Sequence, residues 1–327
     1  MKAWQITETG EPGTALHWTE LDNPAPGHGQ MLVRVAAAAA NFPDVLLCRG
    51  EYQVKPALPF TPGLELCGKI VALGAGCERF RVGDRVVGTP VMPHGAFAEL
   101  SVLDADGACP APPDLSDAEA AALTIGYQTA WFALHRRTRL AAHETLLVHA
   151  AAGGVGSAAV QLGKAAGARV IGVVGGPGKA DYCRRLGADL VLDRHSDDLV
   201  AAIKNYTDGR GADVVFDPVG GEAYTTSAKC VAFEGRIVVV GFASGAIPAP
   251  ALNHALIKNY SIIGLHWGLY KGRDPRLVQD CHHELTRLAA TGAVKPLISE
   301  RLSLSHVPDA LARLGAGSTV GRIVFHP

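Results

Sequence analysis

Charge of a single sign is missing from this chain of 327 residues: 30 Lys+Arg face 31 Asp+Glu, for a formal net charge of −1. Only 19% of the residues are charged and 48% are hydrophobic, so an intrinsically disordered chain is excluded. No basic excess exists to neutralise phosphates along a groove, so nucleic acid is not an expected partner. The seven cysteines are odd in number, and the closest two, Cys67 and Cys77, are ten positions apart. With no CxxC, neither a disulfide framework nor a cysteine zinc knuckle is expected. No apolar run reaches the roughly 18 residues that span a bilayer. The longest candidate, Ala120 to Leu134, is broken by Thr124, Gln128 and Thr129. The first residues, Met1-Lys2-Ala3-Trp4-Gln5-Ile6-Thr7-Glu8, contain no apolar leader segment, and the expectation is a cytoplasmic protein with no membrane partner. There is no GxSxG, and His283-Glu284 is not followed by the second His of a zincin motif, so hydrolase chemistry finds no support.

What is abundant is glycine, 38 residues without a collagen period, and apolar residues enough for about two domains. From Met1 to about Ala122, short apolar runs such as Leu32–Val35, Lys69–Leu73 and Asp84–Gly88 alternate with Gly and Pro turns, which reads as a β-rich, barrel-like domain. From about Leu123 the rhythm becomes strand, helix, strand. The expected strands are Thr145–His149, Arg169–Val174, Asp189–Leu192, Asp213–Asp217, Arg236–Gly241 and Ser261–Leu265, with helices at Lys179–Leu186, Ser196–Tyr206 and Gly221–Val231 between them. Near-continuous apolar strands in βαβ order predict a buried parallel sheet, an α/β fold. After about Trp267 an amphipathic helix near Leu277–Ala290 leads to a final strand at Arg322–Phe325, and this tail is expected to return to the first domain. The resulting boundaries are 1–122 with 268–327 for one domain and 123–267 for the other.

The informative stretch is His149-Ala150-Ala151-Ala152-Gly153-Gly154-Val155-Gly156-Ser157, which follows a strand and opens a helix. That is the context of a dinucleotide turn, in which backbone N–H groups and the helix dipole meet a pyrophosphate. Ala151 replaces the first glycine of the usual pattern; Ala152, Gly153, Gly154, Val155 and Gly156 are the expected phosphate contacts. An NAD site normally carries an acid about 20 residues on. Here that place is Gly175-Gly176, and no acid occurs from Ser157 to Ala180. Lys179 and, past the third strand, Arg194 are the cations expected at a 2′-phosphate, which points to NADPH. The bland alternatives are a solvated helix-start lysine and a surface-loop arginine.

These residues carry a family likeness. The chain resembles the medium-chain dehydrogenase/reductase superfamily, and within it the zinc-free NADPH:quinone oxidoreductase (zeta-crystallin-like) branch. The matching motifs are Asn41-Phe42-Pro43-Asp44-Val45-Leu46, Arg49-Gly50-Glu51-Tyr52, Pro62-Gly63-Leu64-Glu65, Val82-Gly83-Asp84-Arg85-Val86, Gly126-Tyr127-Gln128-Thr129-Ala130 and the turn at Ala150–Gly156. The resemblance implies a Rossmann doubly wound parallel-sheet domain inserted in a GroES-like β-rich catalytic domain, and a homodimer paired near Ser261–Leu265. Zinc-dependent members place ligands at the positions of Asn41, Leu64 and Ala121, so no metal is expected. Without a Lewis acid, the expected partner is a small electron-poor acceptor, a quinone or another α,β-unsaturated carbonyl compound. Asn41, beside the nicotinamide, and Tyr52, at the acceptor oxygen, are the candidate catalytic residues; a turn residue and a packing aromatic are the alternatives. Asp44 and Glu65 read as architectural. Thr129, at the domain crossover, is a candidate for the nicotinamide end, with a helix-interior threonine as its alternative. Gly241, Phe242, Leu265 and His266, at strand ends on the ligand side of the sheet, are candidates for cofactor binding, and His266 also for a cleft base; ordinary turns and a structural histidine are the alternatives. Arg322 is a candidate for the adenine ribose phosphate, with surface placement as its alternative. Two other functions fit the same likeness: a 2-enoyl-CoA (acryloyl- or crotonyl-CoA) reductase, and a protein that binds NADPH without turnover.

Overall fold

A computed structural model describes all 327 residues. In chain order the strands are β1 (Lys2–Ile6), β2 (Leu16–Glu20), β3 (Gln30–Ala39), β4 (Leu66–Leu73), β5 (Arg85–Gly88), β6 (Leu100–Asp104), β7 (Cys109–Pro110), β8 (Thr145–Val148), β9 (Arg169–Val174), β10 (Leu190–Asp193), β11 (Ala212–Asp217), β12 (Val231–Val239), β13 (Ser261–Gly264), β14 (Ile298–Ser303) and β15 (Arg322–His326). They fall into two compact units. The first comprises Met1–Ile125, Pro275–Ala290 and Lys295–Pro327; the second comprises Gly126–Asp274 and Thr291–Val294.

The first unit is built on a seven-stranded sheet of order β14-β15-β3-β4-β5-β7, with β6 also on β3. β3 pairs antiparallel with β4, β6 and the C-terminal strand β15. Its side chains are therefore mostly buried, and Met31, Val33 and Val35 join Ile6, Leu66, Ile70, Val86, Phe97 and Phe325 in one core. Phe97 and Phe325 meet edge to face, ring centroids 5.2 Å apart. The helix Phe42–Arg49 starts at Asn41, carries Pro43 in its first turn and stops at Gly50, whose φ of 69° is the left-handed conformation glycine adopts readily.

The second unit is a six-stranded parallel sheet of order β10-β9-β8-β11-β12-β13. Counted from β8, this is the doubly wound order 3-2-1-4-5-6, with its switch point between β8 and β11. All four residues of β8 are buried because helices cover both faces. The helix Gly154–Ala165 lies close to the sheet because it turns small residues towards it. A Cβ at Gly156 would run into the Ala150 carbonyl, and one at Gly163 into Leu146. β12 differs from its expected span: it begins at Val231, where the sequence reading continued a helix, and bends at Glu234 (φ 57°) and Gly235 before rejoining the sheet at Arg236. Val231 is β-branched and buried, which suits a strand. No helix of the chain is long and apolar enough to cross a membrane.

Candidate nucleotide and active site

In a parallel sheet every strand leaves on the same edge, so the loops after β8, β9, β10, β11, β12 and β13 gather at the C-terminal edge of the second unit, where such folds bind ligands. The turn after β8 carries Ala152, Gly153, Gly154, Val155 and Gly156. Gly153 caps the helix Gly154–Ala165 in extended conformation and gives it no side-chain partner, and the first turn holds no acid. Its orphan N–H groups and positive dipole end therefore face outward without an internal anion. Ala150 has φ 49°, a left-handed conformation that costs an L-residue about 1 kcal/mol, held in place by Ala151 N–H bonding to Val173 and Gly153 N–H bonding to Ala150.

Next to it, at the tip of β9, Gly175 lies under the Arg194 guanidinium, and Gly176 (φ 100°) caps the helix Pro177–Arg185. Side chains at Gly176 or Gly178 would meet open space. Asp193 accepts the N–H groups of Gly176 (3.0 Å) and His195 (3.1 Å), which lowers its pKa and ties the two loops together. Burial, and secondarily Arg194, push the Lys179 ammonium below its ordinary value. The structure thus brings Gly175, Gly176, Lys179 and Arg194 to one place and gives it two cations.

The loops after β11 and β12 are laced together. Asp217, buried at the end of β11, accepts the N–H of Val219 (2.8 Å) and Gly220 (2.9 Å). Ser244 donates to the Val219 carbonyl at 2.7 Å, and Ala243 N–H bonds to Pro218. This holds Gly241 and the half-exposed Phe242 at the edge. Leu265 N–H bonds to Val239 (3.0 Å), leaving Leu265 buried and His266 exposed. Thr129 lies buried in the helix Thr124–Trp131, next to Gln128, whose amide oxygen accepts the indole N–H of Trp267 at 3.1 Å. His149, Ser227 and Asp217 form a buried polar group that the sequence reading missed. The His149 Nε2 lies 2.8 Å from Ser227 Oγ, and burial holds the imidazole below its ordinary pKa while the Asp217 charge opposes. The only sequence signal was a histidine at the last position before the turn.

The first unit holds the other candidates. Asn41 is buried, its Nδ2 donating to the Ala39 carbonyl (3.2 Å) and to Glu65 Oε1 (3.0 Å). Its backbone N–H bonds to Asp44 Oδ2 at 2.8 Å, and Gly63 N–H bonds to Asp44 Oδ1 at 3.2 Å. Burial raises Asp44 from 3.8 to about 7, although both N–H bonds oppose. Glu65 is also raised by burial, with Arg322, the Ile125 N–H (2.7 Å) and Asn41 pulling it back. Tyr52 is half-buried, and burial and then the Asp44 charge raise its phenol above the ordinary value. Arg322 requires a correction. Expected at a ribose phosphate or on the surface, it is 3% exposed and its Nη2 is ion-paired with Glu65 inside the sheet core. A buried carboxylate beneath β15 demanded a cation, and Arg322 is the first residue of that strand.

Two family models match: an alcohol dehydrogenase GroES-like domain over residues 27–113 and a zinc-binding dehydrogenase domain over residues 154–282. A quinone oxidoreductase-like protein 2 homolog of Nematostella vectensis is 37% identical over 302 residues, 92% of this chain and 82% of that protein. The chain belongs to the zinc-free quinone oxidoreductase family of the medium-chain dehydrogenase/reductases. Its fold is that family's, a GroES-like domain and a Rossmann-like parallel sheet. Escherichia coli quinone oxidoreductase, solved in complex with NADPH, has 29% identity and a TM-score of 0.92, with 100% of both chains covered. A segment amounting to 14% of the phthioceranic/hydroxyphthioceranic acid synthase of Mycobacterium tuberculosis is 34% identical over 302 residues, 92% of this chain. As a member of the quinone oxidoreductase family, the protein is an oxidoreductase.

Proposed function

We propose that this quinone oxidoreductase family member uses NADPH to reduce quinones or other α,β-unsaturated carbonyl acceptors. The observation that carries the cofactor choice is the pair Lys179 and Arg194 at the glycine tip of β9, close enough for Arg194 to depress Lys179 and with no acid where an NAD site keeps one. The two cations would neutralise a 2′-phosphate, the N–H groups of Gly153–Gly156 would hold the pyrophosphate, and Thr129, Gly241, Phe242, Leu265 and His266 would border the cofactor's other end. Bound NADPH supplies hydride. In this reading Asn41 would hold the nicotinamide ribose, and Tyr52 would donate its phenolic proton towards the acceptor oxygen. Asn41 and Leu64 occupy the positions of metal ligands in zinc-dependent relatives, so the acceptor brings its own activation by conjugation.

A second reading, reduction of an enoyl thioester, draws support from the likeness to a segment of an acid synthase. We further propose a cytoplasmic homodimer. Leu252, Leu256 and Ile257 are 73%, 77% and 72% exposed on the helix Leu252–Lys258, which buries no side chain, and the edge strand β13 lies in the same unit with Ile262 partly exposed. A second copy would cover both the apolar face and the open strand edge.

The test is cofactor oxidation by the purified chain with a quinone, a simple enone and crotonyl-CoA, NADPH and NADH run in parallel. Turnover with NADPH is expected on the quinone or enone. K179A and R194A should each lower kcat/KM for NADPH by roughly ten- to a hundredfold, the loss of one charge-assisted bond, and leave NADH unchanged. A wild-type preference for NADH overturns the cofactor reading, and a preference for crotonyl-CoA moves the protein to the second.

A further inference from the structure

We infer that Glu65, held by Arg322, is a positioning residue that locks the Asn41 carboxamide in one orientation, N–H inwards and carbonyl oxygen towards its ligand. An amide nitrogen has two N–H donors. The structure places Asn41 Nδ2 against the Ala39 carbonyl at 3.2 Å and Glu65 Oε1 at 3.0 Å, and neither group has a proton to offer in return. A carbonyl only accepts. The Glu65 carboxylate meets three donors, with Arg322 Nη2 and Asn41 Nδ2 on Oε1 and the Ile125 N–H on Oε2 at 2.7 Å, so it too is an acceptor throughout. Rotating the amide by a half turn would set Oδ1 against two oxygens in a site where Asn41 is 4% and Glu65 0% exposed, an arrangement that burial makes costly. Both donors are thereby used. The same orientation serves the capping box of the helix Phe42–Arg49, in which the Asn41 side chain faces the Asp44 N–H, and Oδ1 keeps a second lone pair for a ligand.

Asn41 thus acts as an acceptor and recognises a hydroxyl. It is not the donor for a developing negative charge on a reduced carbonyl oxygen. The lock stands on this unit's geometry alone. Its consequence, that the hydroxyl is one of the nucleotide's ribose hydroxyls, rests on the cofactor reading above.

The experiment varies the acceptor at position 65. E65Q keeps an oxygen where Asn41 Nδ2 and Arg322 Nη2 both donate and turns its amide nitrogen to the Ile125 side, so it keeps the lock; E65M keeps the length and removes the acceptor. The lock itself is read in the free protein from the side-chain amide protons of Asn41 by NMR, assigned by their loss in N41D. In wild type and E65Q they should exchange with solvent at least tenfold slower than those of an exposed asparagine, and E65M should abolish that protection. NADPH affinity is read by fluorescence titration. E65M should weaken binding about tenfold or more, the worth of one charge-assisted bond, and E65Q should stay within about threefold of wild type. Unprotected Asn41 protons in wild type, or protection untouched by E65M, overturn the lock. Equal losses in E65Q and E65M also overturn it, since a role of the Glu65 charge alone predicts that result. Protected protons in a protein that fails to bind NADPH uphold the lock and remove the cofactor reading instead.

Discussion

Asp44 gives the most quantitative consequence of the first unit's buried acids. Its carboxyl is fully buried, accepts two backbone N–H bonds and titrates at about 7 in the folded chain against an ordinary value of 3.8. The folded state therefore holds a proton that the unfolded chain has released, over the whole range between those two values. Stability from this group is complete below pH 3.8 and is lost as pH rises through 7. Between pH 5 and pH 8 the linkage integral is about 3 kcal/mol for this shift. D44N removes the titration. It also leaves one N–H facing an amide, but that penalty does not depend on pH. The informative quantity is the difference in unfolding temperature between wild type and D44N, followed by differential scanning calorimetry from pH 5 to 8, because all other groups cancel in it. Wild type should lose roughly 5–10 °C relative to D44N over that interval, at 2–4 °C per kcal/mol for a domain of this size. A difference that stays constant with pH would show that Asp44 is ionised throughout, and would refute the claim that burial outweighs its two N–H bonds.

Other substitutions probe the remaining parts. G156A forces a Cβ against the Ala150 carbonyl and should destabilise the second unit by about 1–3 kcal/mol while weakening NADPH binding, read by thermal unfolding and nucleotide titration. S227A strips the His149 Nε2 of its partner at 2.8 Å and should cost about 1–3 kcal/mol in urea unfolding. Y52F should lower kcat with little change in NADPH affinity; an unaltered kcat would leave Tyr52 as a packing residue. L256D/I257D should convert the proposed dimer to monomer in sedimentation velocity, whereas an unchanged species would place any interface elsewhere.

How legible the molecule was depends on how local the determining interactions are. The parallel sheet could be read because each strand is buried on both faces and so is written as a continuous apolar run, as in Leu146-Leu147-Val148 and Val170–Val174. The glycine-rich turn between β8 and its helix could be read because its strand–turn–helix signal lies within nine consecutive residues. The helix Leu252–Lys258 escaped because seven residues are too few for its apolar positions, Leu252, Leu256 and Ile257, to establish a helical period. The π-helical turn Phe132–Arg137 escaped because its i→i+5 spacing has no sequence signature. The lock on Asn41 was out of reach for a different reason. Glu65 is 24 residues away, and Arg322 a further 257 from Glu65, so only the folded sheet shows that one carboxylate serves both. Arg322 was read as a candidate for the adenine ribose phosphate on the same ground: nothing near it in sequence shows the buried carboxylate it serves.

The antiparallel pairing of β15 with β3 also has a bearing on how the chain is made. A ribosome delivers β3 early and its neighbour last, with the whole six-stranded unit emerging in between. Until then Phe97 lacks the ring of Phe325, the Trp4 indole lacks its acceptor at Leu304, and the Glu65 carboxylate lacks Arg322. The second unit, continuous in sequence apart from Thr291–Val294, is the part that can fold during synthesis. The first must wait until β15 has emerged, holding a half-finished apolar sheet throughout the synthesis of the second unit. Holdase chaperones should therefore engage residues of β3 and β4 on stalled nascent chains, and should let go once β15 has cleared the exit tunnel.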